Sequence, residues 1–523
     1  MADLRSGFLV FLIALPLCLG ISLASGVPPT AGLITAIVGG LVGSFVGSAR
    51  LTIKGPAAGL IVIALGAVTE LGAGDPVVGY HRALAVGVVA GVVQIIFALT
   101  RAGVIGDLMP SAVVHGMLAA IGVMIVSKQA HVALGVTPEG AEALHLLAQI
   151  PHSLLNLNPE VFAIGLTGLA ILYGLPLMRS RWTRFVPAQM VVLVVAIPMG
   201  LLFDIGHEHV YQFAAHVYHI GPSFLIRLPA SLLSALAFPD FSQVFSTVSI
   251  KYIVMFSLVG SIESLLSVTA VDALDPQRRT SDLNRDLLAT GVSNVVAASL
   301  GGLPMISEIV RSKANIDNGA QSRWSNFYHG MFLLLSLAII PGLLQLIPLA
   351  ALAAMLIYTG TRLASPSEFM HAYHIGPEQL LIFVVTMLVT LMTDLLVGVG
   401  AGLALKMLLH IWSGAPMARF FSVVVDEARD GDTVRLVVQD AAIFTNYLGL
   451  KRRLLALPDD VRRVVIDFDQ AWVVDHTVLA KLETLSGTWS DRTLELVGLD
   501  GHRAASTHPL ASRRKARRVG VAA

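Results

Sequence analysis

One long apolar segment of the sequence carries an acidic residue and two hydroxyl groups on a single helical face. Glu263 and Ser264 follow Gly260 by three and four residues. Ser267 follows it by seven, and these offsets place all four positions on one face of an α-helix. A carboxylate inside an apolar run is costly to bury, so it is a functional hypothesis by default. This face could couple to a cation or a proton, with Na⁺ held at Glu263 and Ser267.

A second pair of ionisable residues lies further along the chain. Glu308 and Arg311 are three residues apart, so they could pair on one helix face. They would then form a structural ion pair near a helix end. Alternatively, Arg311 adds positive potential to an anion site, and Glu308 either neutralises Arg311 or helps to hold a coupled cation.

Two short segments place glycine ahead of proline where an apolar run begins. Residues 54–59 read KGPAAG, and residues 301–307 read GGLPMIS. Proline suits the first turn of a helix, where its missing N–H is not needed, so each segment predicts a half-helix that starts inside an apolar layer. Two such N-terminal ends facing each other would bind an anion through unpaired N–H groups. Lys54 precedes the first segment, either as an interfacial anchor or as part of an anion pathway. The predicted anion-binding residues are Gly55, Pro56, Ala57, Ala58, Pro304, Met305, Ile306, Ser307 and Arg311.

The composition indicates the environment in which these residues lie. Of 523 residues, 55% are hydrophobic and 13% are charged, which is about half the charged fraction of a typical soluble domain. So few charges cannot cover a soluble protein, and the chain is predicted to be a polytopic membrane protein. The single cysteine, Cys18, excludes a disulfide scaffold, and a formal net charge of +1 gives no general attraction to nucleic acid.

The apolar runs between residue 1 and about residue 412 suggest about 14 membrane spans. The third span (56–72) and the tenth (305–317) are the two glycine–proline segments. Because they are seven spans apart, they suggest a 7+7 inverted repeat. With the N-terminus inside, the inner loops carry 12 Lys and Arg residues against 4 in the outer loops. This asymmetry favours an even number of spans and places both termini in the cytoplasm, as in a multi-pass protein of the cell (inner) membrane.

The charge density rises sharply after the last apolar run. We therefore divide the chain into a membrane domain (1–412), a linker (413–420), a cytoplasmic domain (421–505) and a basic disordered tail (506–523). Strands are predicted at 434–438, 461–468 and 494–497 from their β-branched residues. Asp475 is predicted to be the N-cap of the helix that follows.

Several of these segments together are similar to the SulP family of inorganic anion transporters (solute carrier family 26). The stretches that carry the resemblance are residues 24–33 (ASGVPPTAGL), 47–50 (GSAR), 55–58 (GPAA), 261–266 (SIESLL) and 304–312 (PMISEIVRS). Residues 434–500 resemble the STAS domain that follows the membrane part in this family.

The resemblance implies a particular architecture and mechanism. A polytopic α-helical 7+7 inverted repeat would divide into core and gate domains, with half-helices as spans 3 and 10 and a small α/β STAS domain behind them. The anion site would lie between the two half-helices, transport would use elevator-type alternating access, and the protein would be a homodimer. His476 stands where phospho-regulated STAS domains have a serine, which puts phosphorylation at that position in doubt.

The tenth segment departs from the family pattern, because Glu308 stands where many members have a small or hydroxyl residue. Two acids, Glu263 and Glu308, beside an anion site suggest that a cation or proton joins them. The leading hypothesis is therefore symport of a small inorganic anion, bicarbonate or sulfate, with Na⁺ or H⁺.

Two alternatives remain open at this point. A nucleobase–cation symporter shares the 7+7 architecture and uses acidic residues, although the STAS-like domain argues against it. An anion channel or membrane-tethered sensor is the other alternative. The sequence has no nucleophile–base pairing, metal cluster or phosphate loop, so we predict no enzymatic activity and no cofactor besides the coupling ion.

Overall fold

The structure is a computed structural model, and the chain divides into two compact units. The first unit contains Met1–Gly103 and Ile121–Ala364, and the second contains Val104–Ala120 and Ser365–Ala523. The residues that the structure describes are 1–138, 142–178, 186–213, 216–229, 233–489 and 491–515.

Helices form most of both units. Up to the end of the first unit they are α1 (Ala2–Ala24), α2 (Pro29–Leu41), α3 (Gly43–Val46), α4 (Ile61–Gly72), α5 (Pro76–Leu99), α6 (Ile105–Leu108), α7 (Ser111–Leu134), α8 (Ala143–Leu155), α9 (Pro159–Gly174), α10 (Ala188–Leu202), α11 (Thr247–Leu274), α12 (Leu283–Ser299), α13 (Ile309–Asp317), α14 (Trp324–Ile339), α15 (Pro341–Leu344) and α16 (Leu349–Leu363). Helix α6 and the first part of α7 belong to the second unit. The other helices of the second unit are α17 (Pro366–Ile375), α18 (Pro377–Met392), α19 (Leu395–Trp412), α20 (Tyr447–Leu455) and α21 (His476–Thr488).

Seven helices among the described residues are long and apolar enough to cross a membrane. They are Ala2–Ala24, Pro29–Val46, Pro76–Leu99, Ser111–Leu134, Pro159–Leu177, Thr247–Leu274 and Leu395–Trp412. Three further apolar helices are shorter, and one of them, Ala58–Gly72, covers most of the third predicted span (56–72). A helix of about 15 residues rises only about 22 Å, whereas the hydrocarbon core is about 30 Å thick. The helices thus fit a polytopic membrane protein, and the number of 14 spans stays a prediction.

Two four-residue strands from distant parts of the first unit pair with each other. Strand β1 (Ile53–Pro56) runs antiparallel to β4 (Met305–Glu308), with Lys54 opposite Ser307. The remaining strands of this unit, β2 (His209–Phe213) and β3 (His216–Ile220), form an antiparallel hairpin. Helix α4 follows β1 after a short 3-10 turn at Ala58–Leu60, and α13 follows β4 directly.

The prediction that each proline opens a half-helix is wrong. Pro56 is the last residue of β1, and Pro304 precedes β4, so neither occupies the first turn of its helix. The reason is that backbone groups removed from water need hydrogen-bond partners. The two strands satisfy one another, and each helix then starts only after its strand has ended.

The second unit contains an α/β domain built on a seven-stranded mixed sheet. Its strand order is β10-β11-β8-β6-β7-β9, and β5 pairs with β6. Parallel pairing joins β6 to β7, β6 to β8 and β7 to β9. The apolar side chains of β6 and β7 pack against those of α20 and α21 to form the core. The strands are β5 (Val424–Asp430), β6 (Thr433–Ala442), β7 (Arg463–Asp467), β8 (Ala471–Val474), β9 (Thr493–Val497), β10 (His502–Ala504) and β11 (Arg513–Lys515).

The sequence correctly predicted strands at β6, β7 and β9, but it was wrong about part of the tail. Arg513–Lys515, within the predicted disordered tail 506–523, form β11, which pairs with β10 and with β8. Strand β8 would otherwise present unpaired backbone groups, and β11 covers that edge. Residues 516–523 of the predicted tail lie outside the described residues.

A buried charge pair joins α19 to the start of α21. Lys406 Nζ lies 3.1 Å from Asp475 Oδ2 and donates to Thr477 Oγ1 at 2.6 Å. Asp475 is the N-cap of α21, as predicted, but its side chain makes no capping hydrogen bond. Burial alone would raise the pKa of the Asp475 carboxyl, but the Lys406 ammonium and the His410 imidazole outweigh burial and hold that pKa well below its usual range. The carboxylate therefore acts as a buried counter-charge.

Replacing Asp475 by Asn should lower the free energy of unfolding of the full-length protein by about 3–5 kcal/mol, because the Lys406 charge would be left buried without its partner. Denaturant unfolding in detergent measures this change. Since the pKa of Asp475 is depressed in the folded state, its contribution is present at neutral pH and is lost as the pH falls. The acid-induced loss of stability should thus be smaller in Asp475→Asn.

The fully exposed Asp459, which pairs with Arg492 at 3.3 Å, provides the matched control. Asp459→Asn should leave the free energy of unfolding nearly unchanged, because solvent screens an exposed ion pair. A Lys406→Met/Asp475→Leu double variant should recover most of the loss, because an apolar pair can replace a buried ion pair. Equal effects of Asp475→Asn and Asp459→Asn would show that the buried pair does not stabilise the fold.

Candidate functional site

The predicted anion-binding residues meet where β1 crosses β4. Gly55 lies opposite Ile306 and Pro56 opposite Met305 in the strand pairing. Around these two pairs, Ala57 and Ala58 lead from β1 into the turn before α4, Pro304 precedes β4, Ser307 lies in β4, and Arg311 lies in the first turn of α13. The structure thus brings residues that are about 250 positions apart into one short stretch of paired backbone.

Lys54 is neither an interfacial anchor nor a free cation. Its side chain is 2% exposed, and Nζ lies 2.7 Å from Asp286 Oδ2. Nζ also donates to Ser307 Oγ at 2.9 Å and to Thr290 Oγ1 at 3.1 Å. The Lys54 charge is therefore neutralised by Asp286, and the ion pair fixes β1 and β4 to α12.

Helix α12 supplies a polar stripe that sequence reasoning did not single out. Asp286, Thr290 and Asn294 are four residues apart, so they share one helix face. Asn294 accepts from the Met305 amide at 2.7 Å and donates to the Met305 carbonyl at 3.2 Å. Gln94 of α5 in turn accepts from Asn294 at 2.8 Å. Three polar residues at this spacing inside an apolar segment were the signal that could have revealed the support of β4.

Arg311 is buried at the crossing, and its hydrogen-bond partners among the described residues are uncharged. The side chain is 1% exposed. Its guanidinium donates to the Pro56 carbonyl at 3.3 Å and to Cys18 Sγ at 3.5 Å. A Cβ on residue 55 would lie 2.5 Å from Nη1, so only glycine allows the guanidinium this close to β1. Within the part of the chain that the structure describes, Arg311 forms no ion pair, and the predicted contact pair with Glu308 is absent.

Glu263 points from α11 at the turn that opens α4. Its side chain is 6% exposed, and Oε1 has no hydrogen-bond partner among the described residues. A Cβ on residue 59 would lie 2.2 Å from Oε1 and 2.6 Å from Oε2. The carboxylate therefore rests directly against the backbone of Gly59, and its Oε1, unpartnered among the described residues, lies at the turn that precedes α4.

The other predicted coupling residues differ in their surroundings. Ser264 Oγ accepts from the Ser307 amide at 3.2 Å, which ties α11 to β4. Ser267 is 9% exposed and lies one turn from Glu263, but the described residues show no hydrogen bond between them. Glu308 is half-buried and is the N-cap residue of α13, directly at the end of β4. The structure thus gathers both acids at the crossing, while Ser264 has a structural contact.

The charges at the crossing do not cancel. Lys54 and Asp286 neutralise each other, which leaves Arg311 with Glu263 and Glu308. Counted with all five groups ionised, the crossing carries one net negative charge. Among the described residues, no group of three His, Cys, Asp or Glu side chains could hold a metal ion. The arrangement can accept one monovalent cation or proton at the acids and one anion at the guanidinium.

The chain is similar in sequence and in fold to proteins described as sulfate or bicarbonate transporters. The profile of the sulfate permease family matches residues 1–386. YvdB of Bacillus subtilis (strain 168), described as a candidate sulfate transporter, is 27% identical over 411 residues, which is 78% of this chain and 73% of YvdB. The solved transmembrane domain of the cyanobacterial bicarbonate transporter BicA is 25% identical and superposes with a TM-score of 0.63, covering 77% of this chain and 97% of that domain.

A second solved structure extends the likeness in fold to most of the chain. The murine anion transporter Slc26a9 (solute carrier 26 family member A9), in its inward-facing state, superposes with a TM-score of 0.67. The match covers 95% of this chain and 84% of Slc26a9 at 15% identity, so it bears on the fold alone.

The contact between Glu263 and Gly59 predicts that one methyl group added at position 59 strongly lowers the stability of the protein. Gly59→Ala should lower the free energy of unfolding by about 1–3 kcal/mol, because the added carbon overlaps the carboxylate. Thermal unfolding in detergent measures the change. The matched control is Gly174→Ala at the end of α9, where a Cβ meets no atom within 4 Å; it should be neutral or slightly stabilising.

A double-mutant cycle makes this prediction specific. Glu263→Ala removes the overlapping carboxylate, so Gly59→Ala should cost much less in that background. If Gly59→Ala destabilises the protein equally with and without the Glu263 carboxylate, the two residues do not contact each other.

Proposed function

Because the chain belongs to the sulfate permease family, we propose that it is a secondary active transporter that carries bicarbonate or sulfate together with Na⁺ or H⁺. Proteins of this family are transporters, and the chain is not an enzyme. The anion binds at the crossing of β1 and β4, and the coupling ion binds at the acids beside it.

The single observation that carries this proposal is the buried charge of Arg311. A cation removed from water is strongly disfavoured unless an opposite charge accompanies it. Lys54 already has Asp286 at 2.7 Å, whereas the hydrogen-bond partners of Arg311 among the described residues are a carbonyl and a thiol. A small anion beside Arg311 would supply the missing charge, and the guanidinium offers a fork of donors suited to oxyanions.

The two short helices add to the attraction for an anion. Helix α4 starts after β1 and α13 starts after β4, so the first turns of both lie next to the crossing. Unpaired N–H groups and the positive end of the helix dipole favour an anion there.

The excess of acidic side chains at the crossing supports coupling of the anion to a cation. An anion that enters a crossing with one net negative charge meets repulsion from Glu263 and Glu308. A proton or Na⁺ on these carboxylates removes that repulsion, so each ligand strengthens the binding of the other. For Na⁺, Glu263 provides a carboxylate oxygen without a partner, and Ser267 provides a hydroxyl one turn away on α11.

The transport mechanism, the oligomeric state and the orientation in the membrane are inferred from membership of the family. We infer elevator-type alternating access by a homodimer in the cell (inner) membrane, with core and gate domains and with both termini in the cytoplasm. The 7+7 repeat expected from the sequence supports this proposal, because the two glycine–proline segments lie seven predicted spans apart. The positive charges of the inner loops support the orientation.

Uptake into proteoliposomes tests the proposed function. Purified protein should accumulate radiolabelled bicarbonate or sulfate when an inward Na⁺ or H⁺ gradient is imposed, and should accumulate neither without a gradient. Labelled uracil serves as the third substrate. Uptake of uracil without uptake of either anion would replace this proposal by a nucleobase–cation symporter, and gradient-independent anion flux would indicate a channel.

Glu263→Gln should abolish the stimulation of uptake by the cation gradient, because the neutral amide cannot exchange a proton or balance a cation. The measurement compares uptake with and without the gradient. Glu483→Gln, at an exposed position of α21, is the matched control and should keep full stimulation. Normal stimulation in Glu263→Gln would remove Glu263 from the coupling site.

Arg311→Ala should weaken anion binding by about tenfold or more, which corresponds to loss of one or two charge-assisted hydrogen bonds. The concentration dependence of uptake gives the KM, and thermal unfolding reports whether the variant is folded. Arg311→Lys keeps the charge and should recover part of the affinity. An unchanged KM in Arg311→Ala would make Arg311 a structural residue only.

A further inference from the structure

A cavity of about 430 Å³ lies inside the second unit, well away in sequence from the crossing. The helices α18 and α19 form one side of it, and the strands β8, β10 and β11 form the other. This volume falls within the range of small-molecule sites, about 300–1,000 Å³. It is much larger than an inorganic anion needs, so an occupant that fills it has an organic body.

Two arginines face each other across the strands that form this cavity. Arg503 of β10 is the direct cross-strand partner of Arg514 of β11, and both line the cavity. Like charges directly opposite each other in a sheet are destabilising. Neither arginine forms an ion pair within the described ranges of the chain, although Arg514 lies over the ring of Trp412 at 5.9 Å. Both arginines are solvent-exposed, and they place two positive charges side by side at the cavity wall with no carboxylate partner among the described residues.

The other charged groups of the lining do not neutralise this pair. Lys406 is already matched by Asp475. Glu378 is the single acidic residue that lines the cavity among those described, and it pairs with neither arginine. Arg513 also lines the cavity, with its Nε buried and unpartnered in the described part of the chain.

Two buried polar atoms at the cavity also lack a partner. Gln379 is 2% exposed and its Oε1 accepts no hydrogen bond from a described residue. His410 is 7% exposed and its Nδ1 is likewise unpartnered. Buried polar groups nearly always find a partner, so these atoms indicate a ligand that both donates and accepts hydrogen bonds.

We propose that this cavity binds an organic phosphate, with the phosphate between Arg503 and Arg514 and the apolar body against Trp412 and the α18–α19 wall. Guanidinium groups match phosphate oxygens through paired N–H donors. Apolar residues of the wall, Leu381, Ile382 and Leu409, would cover the body of the ligand. The same chemistry could come from the headgroup of an anionic lipid or from a soluble phosphate ester.

Binding at this cavity would let the C-terminal domain respond to the concentration of an organic phosphate. A ligand that touches α19 and β11 together holds the last apolar helix against the sheet. Since the residues involved lie outside the crossing, this inference stands independently of the transported anion. Binding would change the stability of the second unit whether or not the protein transports bicarbonate or sulfate.

Binding to the full-length protein in detergent tests the proposal. Isothermal titration with phenyl phosphate represents the soluble source, and titration with dihexanoyl phosphatidic acid represents the lipid source. Inorganic phosphate and dihexanoyl phosphatidylcholine test the need for an organic body and for net negative charge. Phenyl phosphate, dihexanoyl phosphatidic acid or both should bind at least tenfold more tightly than inorganic phosphate and dihexanoyl phosphatidylcholine. Whichever of the first two binds identifies the source.

Charge-removing variants locate the site. Arg503→Gln and Arg514→Gln should each weaken binding by about tenfold or more, whereas Arg452→Gln, at an exposed position of α20, should leave it unchanged. The ligand-free Arg514→Gln protein should also melt at a higher temperature than the parent, because the repulsion with Arg503 is gone, and should lose the ligand-induced shift. Absence of binding by both organic phosphates, or equal loss in Arg452→Gln, would overturn the proposal.

Discussion

Backbone that leaves a helix inside an apolar layer must find its hydrogen-bond partners within the protein, and the two broken stretches of this chain find them in each other. The register of β1 against β4 places Lys54 opposite Ser307. A shift by one residue would turn every side chain to the other face and would remove Lys54 from Asp286. The ion pair at 2.7 Å therefore selects the register, and the register in turn places Gly55 beside Arg311 and starts α4 beside Glu263.

The close packing of charged groups against the strand backbone explains why small residues occupy the crossing. Gly55 admits the Arg311 guanidinium and Gly59 admits the Glu263 carboxylate, and in each case a Cβ would come within 2.5 Å or less of the charged group. The charges can approach the strand backbone only because these two positions lack side chains. Helix α12 completes the arrangement, because Asn294 satisfies both backbone groups of Met305. The site is thus held by backbone pairing and buried polar contacts, with little freedom for substitution.

Sequence alone predicted the parts of this arrangement that depend on local chemistry. Glycine ahead of proline marked both broken segments, the helical spacing of Glu263 marked the polar face of α11, and β-branched residues marked β6, β7 and β9. The strand pairing could not be predicted, because four residues such as Ile53–Pro56 are too short to show an alternating pattern. The pairing of Lys54 with Asp286 spans 232 positions, and that of Lys406 with Asp475 crosses from an apolar helix to the C-terminal domain. Such contacts are fixed by tertiary packing, which local patterns do not encode.

The distribution of counter-charges separates the cations that build the structure from the cation available to a ligand. Lys54 and Lys406 are both almost fully buried, and each has an aspartate within about 3 Å, so neither can attract an anion without first losing its partner. Arg311 is equally buried, but its hydrogen-bond partners among the described residues are uncharged. In a membrane protein the free energy of burying an unpaired charge is large. Under the proposed function an anion at Arg311 would offset that cost, and the two acids nearby would make its affinity depend on a coupled cation.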